Sequence, residues 1–130
     1  MTSKALILAI DDEQYYLNEL KYEFAGKNVE LKTFLGPSSF EETATTEDIE
    51  RAELILIDYD FRSCTSVDRD LPRYIKTCFK FSGKLALISL LEDFGEETEI
   101  IRSNYDAIFQ KETFSWADIE KLLKKEQSLP

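Results

Sequence analysis

The stretch that decides the fold runs from Lys4 to Asp12 and reads KALILAIDD. An apolar run closed by acidic residues is typical of a buried strand that ends at the edge of a sheet. The same arrangement recurs along the chain, with Leu54–Ile57 before Asp58, Leu85–Ile88 before Ser89, and Ala107–Gln110 before Lys111. Because the carboxyl ends of parallel strands share one edge, we expect these polar side chains to line one crevice.

Strand-like runs alternate with segments of helical periodicity. The predicted helices are Glu13–Phe24, a less regular region from Ser39 to Ile49, Leu71–Phe79, Glu96–Arg102, and a last one that begins near Ser115. With a further strand at Val29–Phe34, this order predicts an α/β fold: a five-stranded parallel sheet flanked by five helices, flavodoxin-like and doubly wound. The first, third and fourth strands are almost wholly apolar, so they are expected in the centre of the sheet.

Local signals indicate where two of the helices begin and where the domain ends. Ser39 with Glu42, and Ser115 with Asp118, have the spacing of capping boxes. The chain has no internal repeat. Residues 1–124 are therefore predicted to form one domain, and residues 125–130 a tail or the start of a linker.

Composition and charge exclude several classes of function. The 130 residues carry a net charge of −10 and include no histidine. The lack of histidine excludes histidine-based catalysis and histidine-ligated zinc or iron. The acidic charge argues against direct binding to nucleic acid, which needs a basic surface. With 43% hydrophobic residues, the chain is expected to bury a core of its own.

The sequence favours a location in the cytoplasm, away from membranes. No apolar run approaches the roughly 20 residues of a membrane span, and the first residues lack the basic-then-apolar order of a signal peptide. Cys64 and Cys78 have neither metal-binding nor redox-motif spacing. Free thiols in a reducing compartment are the simpler interpretation.

The expected crevice is rich in acidic side chains. It would gather Asp11, Asp12, Glu13, Asp58 and Asp60. Like charges at short range destabilise a fold unless a cation lies between them, and carboxylate oxygens suit a hard divalent ion such as Mg²⁺. A carboxylate beside Mg²⁺ can act as a nucleophile and take a phosphoryl group. Ser89 would add a hydroxyl group and Lys111 an ammonium group for the phosphoryl oxygens.

Each of these residues also has a purely structural interpretation. The acidic pair could cap the helix that follows it, because Asp is a preferred capping residue. Ser89 could be a turn residue, Lys111 a solvated surface lysine and Asp60 a loop acid. Only the joint placement of the set at four strand ends favours the functional interpretation. The aromatic residues interpreted as core or surface packing are Tyr15, Tyr16, Tyr22 and Trp116.

From about Lys4 to Leu123, the chain resembles a response-regulator receiver domain. That family has an acidic pair after strand one, a phosphoacceptor Asp after strand three, Ser or Thr after strand four, and Lys after strand five. The matching residues here are Asp11-Asp12, Asp58, Ser89 and Lys111, in the same order and with separations typical of the family. No single motif in this set is specific, whereas the ordered set is.

The resemblance implies that Asp58 accepts a phosphoryl group from a histidine kinase or a phosphotransfer protein. It further implies that Asp12 and Asp58 bind Mg²⁺ directly and that Asp11 acts mostly through water. Asp60 would contribute its backbone carbonyl as another ligand, so its side chain is not required.

The resemblance also implies how phosphorylation is transmitted. Ser89 and Lys111 would hold the phosphoryl oxygens and report to a surface formed by the predicted helix Glu96–Arg102, the fifth strand and the last helix. A downstream protein partner would bind this surface. Whether the chain forms a homodimer stays open, and the face of that fourth predicted helix is where the family usually pairs. Such a module is a signalling domain with weak self-phosphorylation and dephosphorylation, not an enzyme of metabolism.

Four positions depart from the family's pattern, and one of them is the proline expected shortly after the phosphoacceptor, where Phe61 and Arg62 stand instead. Leu90 stands where a small residue is expected, and Ile108 where an aromatic residue is expected. Glu112 follows Lys111, where the family usually has proline after a cis bond. Because a cis bond before any other residue costs about 3–4 kcal/mol, the geometry of this bond stays open.

Two other functions stay open. The departures suit a degenerate receiver that binds a protein partner without phosphorylation. A phosphatase resembling the haloacid-dehalogenase family would use an Asp-x-Asp motif such as Asp58-Tyr59-Asp60, with Ser or Thr, Lys and an acidic pair. In that family the acidic pair comes last, whereas here it comes first, so the phosphatase is the weaker alternative.

Overall fold

A computed structural model describes residues 4–58, 71–89 and 103–127 of the chain. Its elements, in chain order, are β1 (Ala5–Asp11), α1 (Gln14–Phe24), β2 (Val29–Leu35), α2 (Gly36–Thr43), α3 (Thr46–Arg51), β3 (Leu54–Asp58), α4 (Leu71–Cys78), β4 (Lys84–Ser89), β5 (Ala107–Gln110) and α5 (Trp116–Gln127). The predicted helix at Glu96–Arg102 lies outside the described residues. Within the described ranges, no helix combines the length and the apolar character needed to cross a membrane.

The five strands form one parallel sheet with the order β2-β1-β3-β4-β5. The predicted fold class is therefore confirmed, as is the central position of β1, β3 and β4. Nearly every residue of these three strands is buried, which fits strands that are covered on both faces. The two edge strands, β2 and β5, are mostly half-buried.

Side chains alternate across the sheet, and each face has its own core. One face packs against α2, α3 and α4, with a core that includes Leu8, Ile10, Phe40, Ile49, Ile57 and Ile75. The other face packs against α1 and α5, with a core that includes Ile7, Ala9, Leu17, Leu20, Leu56 and Ile119. The sheet is therefore doubly wound, with helices packed on both of its faces.

The region from Ser39 to Ile49 differs from the sequence prediction. It contains the last part of α2, a short break at Ala44-Thr45, and the first part of α3. Ser39 lies inside α2, so the predicted capping box with Glu42 is wrong; α2 instead has Pro37 in its first turn. The predicted start of the last helix is confirmed, since the Ser115 backbone N–H donates to Asp118 Oδ2 at 3.0 Å.

A charged pair fastens α3 to the edge strand β2. Lys32 Nζ donates to Asp48 Oδ1 at 2.9 Å, and the Asp48 backbone N–H donates to Thr45 Oγ1 at 3.0 Å, so Thr45 caps α3. The hydrogen bond from Lys32 is the main cause that lowers the pKa of Asp48, and burial opposes it. This carboxylate therefore stabilises the folded chain in its charged form.

Replacing Asp48 with Asn is expected to lower the free energy of unfolding by about 1 kcal/mol at neutral pH. Because folding lowers the pKa of Asp48, this contribution is complete above the ordinary pKa of 3.8 and is lost as the pH falls below it. Urea unfolding of the wild type and of Asp48→Asn, at pH values above and below 3.8, measures the difference in the free energy of unfolding. Glu47→Gln, at an exposed neighbouring position, is the control. A difference that does not change with pH would contradict this assignment.

Candidate functional site

The carboxyl edge of the sheet brings together the polar residues that the sequence placed at strand ends. Asp11, Asp58 and Ser89 are the last residues of β1, β3 and β4. Lys111 follows β5 directly, and its backbone N–H donates to the Ser89 carbonyl oxygen at 2.8 Å. The strand register therefore fixes the backbone of Lys111 beside the end of β4.

Three carboxylates form a cluster at this edge. Asp11 and Asp58 are each 2% exposed, and Asp12 is half-buried. One oxygen from each of the three carboxylates lies within 4.8 Å of the others. Asp11 Oδ1 also accepts the Glu13 backbone N–H at 2.9 Å, which anchors the first carboxylate at the start of α1.

The ammonium group of Lys111 bridges two of these carboxylates. Lys111 Nζ lies 3.0 Å from Asp11 Oδ2 and 3.5 Å from Asp58 Oδ2. The lysine side chain is itself only 7% exposed, so this is a buried ion pair with two acceptors on one cation. Three carboxylates against one ammonium leave the cluster with an excess of negative charge.

Burial and charge act in opposite directions on the groups of the cluster. Burial raises the pKa of Asp11, although the Glu13 backbone N–H and Lys111 both oppose that rise. Burial alone would lower the pKa of Lys111, but the hydrogen bond to Asp11 and the charge of Asp58 outweigh it and raise that pKa. Lys111 is therefore held as a cation inside the crevice.

Tyr16 is part of this site, although the sequence interpretation assigned it to packing. The Lys111 Nζ lies over the Tyr16 ring, 4.3 Å from its centroid. Burial raises the pKa of Tyr16, and the charges of Asp11 and Asp58 raise it further. Tyr16 lies in the first turn of α1, shortly after the acidic pair at the end of β1, but its spacing in the sequence is only that of a core residue.

The remaining predicted residues are only partly described. Ser89 is fully buried at the end of β4. Asp60 and Leu90 lie outside the described residues. Ile108 is half-buried in β5, Glu112 is exposed, and the Lys111–Glu112 peptide bond is trans. The sequence left open whether the Lys111–Glu112 bond is cis, and the structure shows that it is not.

The donor set fits a hard divalent cation. All the converging ligand atoms are carboxylate oxygens, and no nitrogen or sulfur ligand joins them among the described residues. Mg²⁺ commonly binds through one or two carboxylates and keeps several waters, so three carboxylates at the edge of a crevice are sufficient. A divalent cation would also neutralise the charge that Lys111 leaves uncompensated.

Comparisons with known proteins identify the fold. No family model matches the sequence, and no curated protein matches it. The structure is similar to a response regulator receiver protein from Pseudomonas putida, with 15% identity, a TM-score of 0.71, and coverage of 96% of this chain and 99% of that chain. A CheY-like receiver domain protein from Methanospirillum hungatei gives 16% identity, a TM-score of 0.72, and coverage of 96% and 95%.

The structure is also similar to a third solved structure with the same fold. It is a response regulator receiver protein from Burkholderia phymatum, with 13% identity, a TM-score of 0.72, and coverage of 98% of each chain. All three likenesses extend over nearly the whole of both chains. The chain therefore has the fold of a response-regulator receiver domain.

Proposed function

We propose that the protein is a phosphorelay receiver that accepts a phosphoryl group on Asp58. One observation carries the proposal: a buried ammonium group, that of Lys111, bridges Asp11 and Asp58 beside a third carboxylate at the carboxyl edge of the sheet. A crevice with one fixed cation and a divalent cation would be suited to a group that carries several negative oxygens.

The residues have distinct roles in this proposal. Asp12 and Asp58 would bind Mg²⁺ directly, Asp11 would act mostly through water, and the Asp60 carbonyl would complete the ligand set. When bound, the metal supplies charge neutralisation for the phosphoryl oxygens. The Lys111 ammonium would donate a hydrogen bond to one of the phosphoryl oxygens.

The proposed transfer is a single displacement at phosphorus. A carboxylate oxygen of Asp58 forms a bond to the phosphorus atom, and the bond from phosphorus to the leaving group of the donor breaks. With phosphohistidine as donor, the leaving group is an imidazole, which takes a proton from solvent. The product is an acyl phosphate on Asp58, whose oxygens accept hydrogen bonds from the Ser89 hydroxyl and the Lys111 ammonium.

This function defines the classes of partner. The donor would be a histidine kinase or a phosphotransfer protein, and the receiver of the signal a protein partner or a second copy of the chain. We expect no direct contact with nucleic acid, since the net charge is −10. We also expect the protein to act in the cytoplasm as a signalling domain, with only weak phosphorylation and dephosphorylation activity of its own.

Intact mass spectrometry after incubation with acetyl phosphate and Mg²⁺ tests this proposal. We expect the wild type to gain the mass of one phosphoryl group, because Asp58 displaces acetate from the donor. Asp58→Asn should gain none, and EDTA should prevent the gain in the wild type. Glu53→Gln, at the opposite end of β3, is the control and should be labelled normally.

Two further incubations, one with a phosphate ester and one with Mg²⁺ and BeF₃⁻, separate the alternatives. Continuous release of phosphate from a phosphate ester, with no lasting mass gain, would favour a phosphatase. No mass gain, together with no spectral change on addition of Mg²⁺ and BeF₃⁻, would contradict the proposal and favour a receiver that binds its partner without phosphorylation.

A further inference from the structure

The Lys111 ammonium lies between two carboxylates and an aromatic ring. Its Nζ is 3.0 Å from Asp11 Oδ2, 3.5 Å from Asp58 Oδ2 and 4.3 Å from the centroid of the Tyr16 ring. Tyr16 is itself 9% exposed and packs in the core that α1 forms with the sheet. This arrangement is a buried cation–π contact, the kind that is strongest because water does not compete with it.

We propose that Tyr16 is a positioning residue of the site: its ring face holds the Lys111 ammonium at Asp58, where the phosphoryl oxygens arrive. The role belongs to the proposed phosphoryl transfer and rests on it. Packing alone would not give Tyr16 this role, because many apolar side chains could fill the same volume without attracting the Lys111 ammonium.

A lysine needs such a restraint because its side chain is long and flexible. The base of Lys111 is fixed, since its backbone N–H donates to the Ser89 carbonyl oxygen at 2.8 Å. The tip is fixed by Tyr16 on one side and by Asp11 and Asp58 on the other. Both ends of the side chain are therefore held before any ligand binds.

The ring has an advantage over another carboxylate. When a phosphoryl group forms on Asp58, the negative charge at that residue moves outward onto the phosphoryl oxygens, and the ammonium must follow it. A neutral aromatic face attracts the cation without competing for the same hydrogen-bond donors. Tyr16 can therefore keep the Lys111 ammonium inside the crevice while the N–H groups of that ammonium turn toward the phosphoryl oxygens.

The hydroxyl group of Tyr16 has no part in this role. It is buried, and no hydrogen-bond partner for it exists among the residues that the structure describes. A buried hydroxyl without a partner does not stabilise the fold, so Tyr16→Phe should fold at least as well as the wild type. Phe keeps the aromatic face, which makes this variant the conservative rescue.

The first readout is the rate of phosphorylation by acetyl phosphate at saturating Mg²⁺. We expect Tyr16→Leu to be slower by about tenfold and Tyr16→Phe to stay within about twofold of the wild type. Tyr16→Met, which fills more of the ring's volume, serves as a second variant and should be as slow as Tyr16→Leu. Tyr15→Leu is the matched control, since Tyr15 is 73% exposed on the same helix.

The second readout is the nuclear magnetic resonance signal of the Lys111 ε-methylene protons in metal-free protein. A ring face over the ammonium shifts these protons upfield, so we expect the shift in the wild type and Tyr16→Phe but not in Tyr16→Leu or Tyr16→Met. A full rate in Tyr16→Leu or Tyr16→Met would overturn the inference, as would a Tyr16→Phe variant as slow as either. Failure of the proposed function looks different: the wild type would stay unlabelled while its methylene protons still showed the shift.

Discussion

Lys111→Met is expected to lower the free energy of unfolding by about 3–5 kcal/mol in Mg²⁺-free buffer at neutral pH. The variant keeps most of the apolar stem of the side chain but removes the ammonium. Asp11 and Asp58, each 2% exposed, would then lie together in the crevice without the cation that bridges them. Such an uncompensated buried charge is strongly destabilising, whereas a lost surface charge costs little.

Mg²⁺ should restore part of the loss in Lys111→Met, because a ligand that binds only the folded chain stabilises it by mass action. Urea unfolding with and without Mg²⁺ measures both effects. Lys121→Met is the control, since Lys121 is exposed on α5 and forms no ion pair among the described residues. A Lys111→Met variant as stable as the wild type without Mg²⁺ would show that the ammonium does not hold the cluster together.

Gly83→Ala is expected to lower the free energy of unfolding by about 2–3 kcal/mol for a different reason. A Cβ atom at this position would lie 2.5 Å from the Ala52 carbonyl oxygen and 2.8 Å from the Glu53 carbonyl carbon and oxygen. These obstacles are backbone atoms that cannot move aside independently. The Lys84 backbone N–H donates to the same Glu53 oxygen at 3.0 Å, so any shift would disturb the start of β4.

Gly26→Ala provides the matched comparison for Gly83→Ala. Gly26 has a φ of +79°, but nothing lies within 4 Å of an added Cβ there. Its substitution should therefore cost only the backbone strain of about 1–2 kcal/mol. Thermal or urea unfolding of both variants separates steric exclusion from strain. If Gly83→Ala costs no more than Gly26→Ala, the close approach of Gly83 to the Ala52-Glu53 backbone does not constrain the fold.

The sheet and its carboxyl edge could be predicted because both depend on local patterns. Apolar runs of strand length identified β1, β3 and β4, and the alternation of strands with helices required parallel pairing. Parallel pairing then places Asp11, Asp58 and Ser89 at one edge whatever the details of packing. The ordered set of residues was therefore sufficient for the fold and for the expected location of the site.

Other features could not be predicted because they depend on contacts between distant segments. The ammonium of Lys111 reaches Asp11 and Asp58 only once β5 lies beside β4, and the sequence does not show which carboxylate it contacts more closely. Tyr16 had the spacing of a core residue, and its contact with Lys111 depends on how α1 lies on the sheet. Likewise, the region between Ser39 and Ile49 has weak periodicity, so the break before α3 was not evident.

Chemical identification of the phosphorylated residue tests the proposed site most directly. Borohydride reduces an acyl phosphate to an alcohol and releases phosphate, which leaves a permanent mass change at the acceptor. After incubation with acetyl phosphate and Mg²⁺, reduction with borodeuteride and proteolysis, tandem mass spectrometry should find this change at Asp58 and nowhere else. A change at Asp11 or Asp12, or none at any carboxylate, would contradict the assignment of Asp58 as the phosphoacceptor.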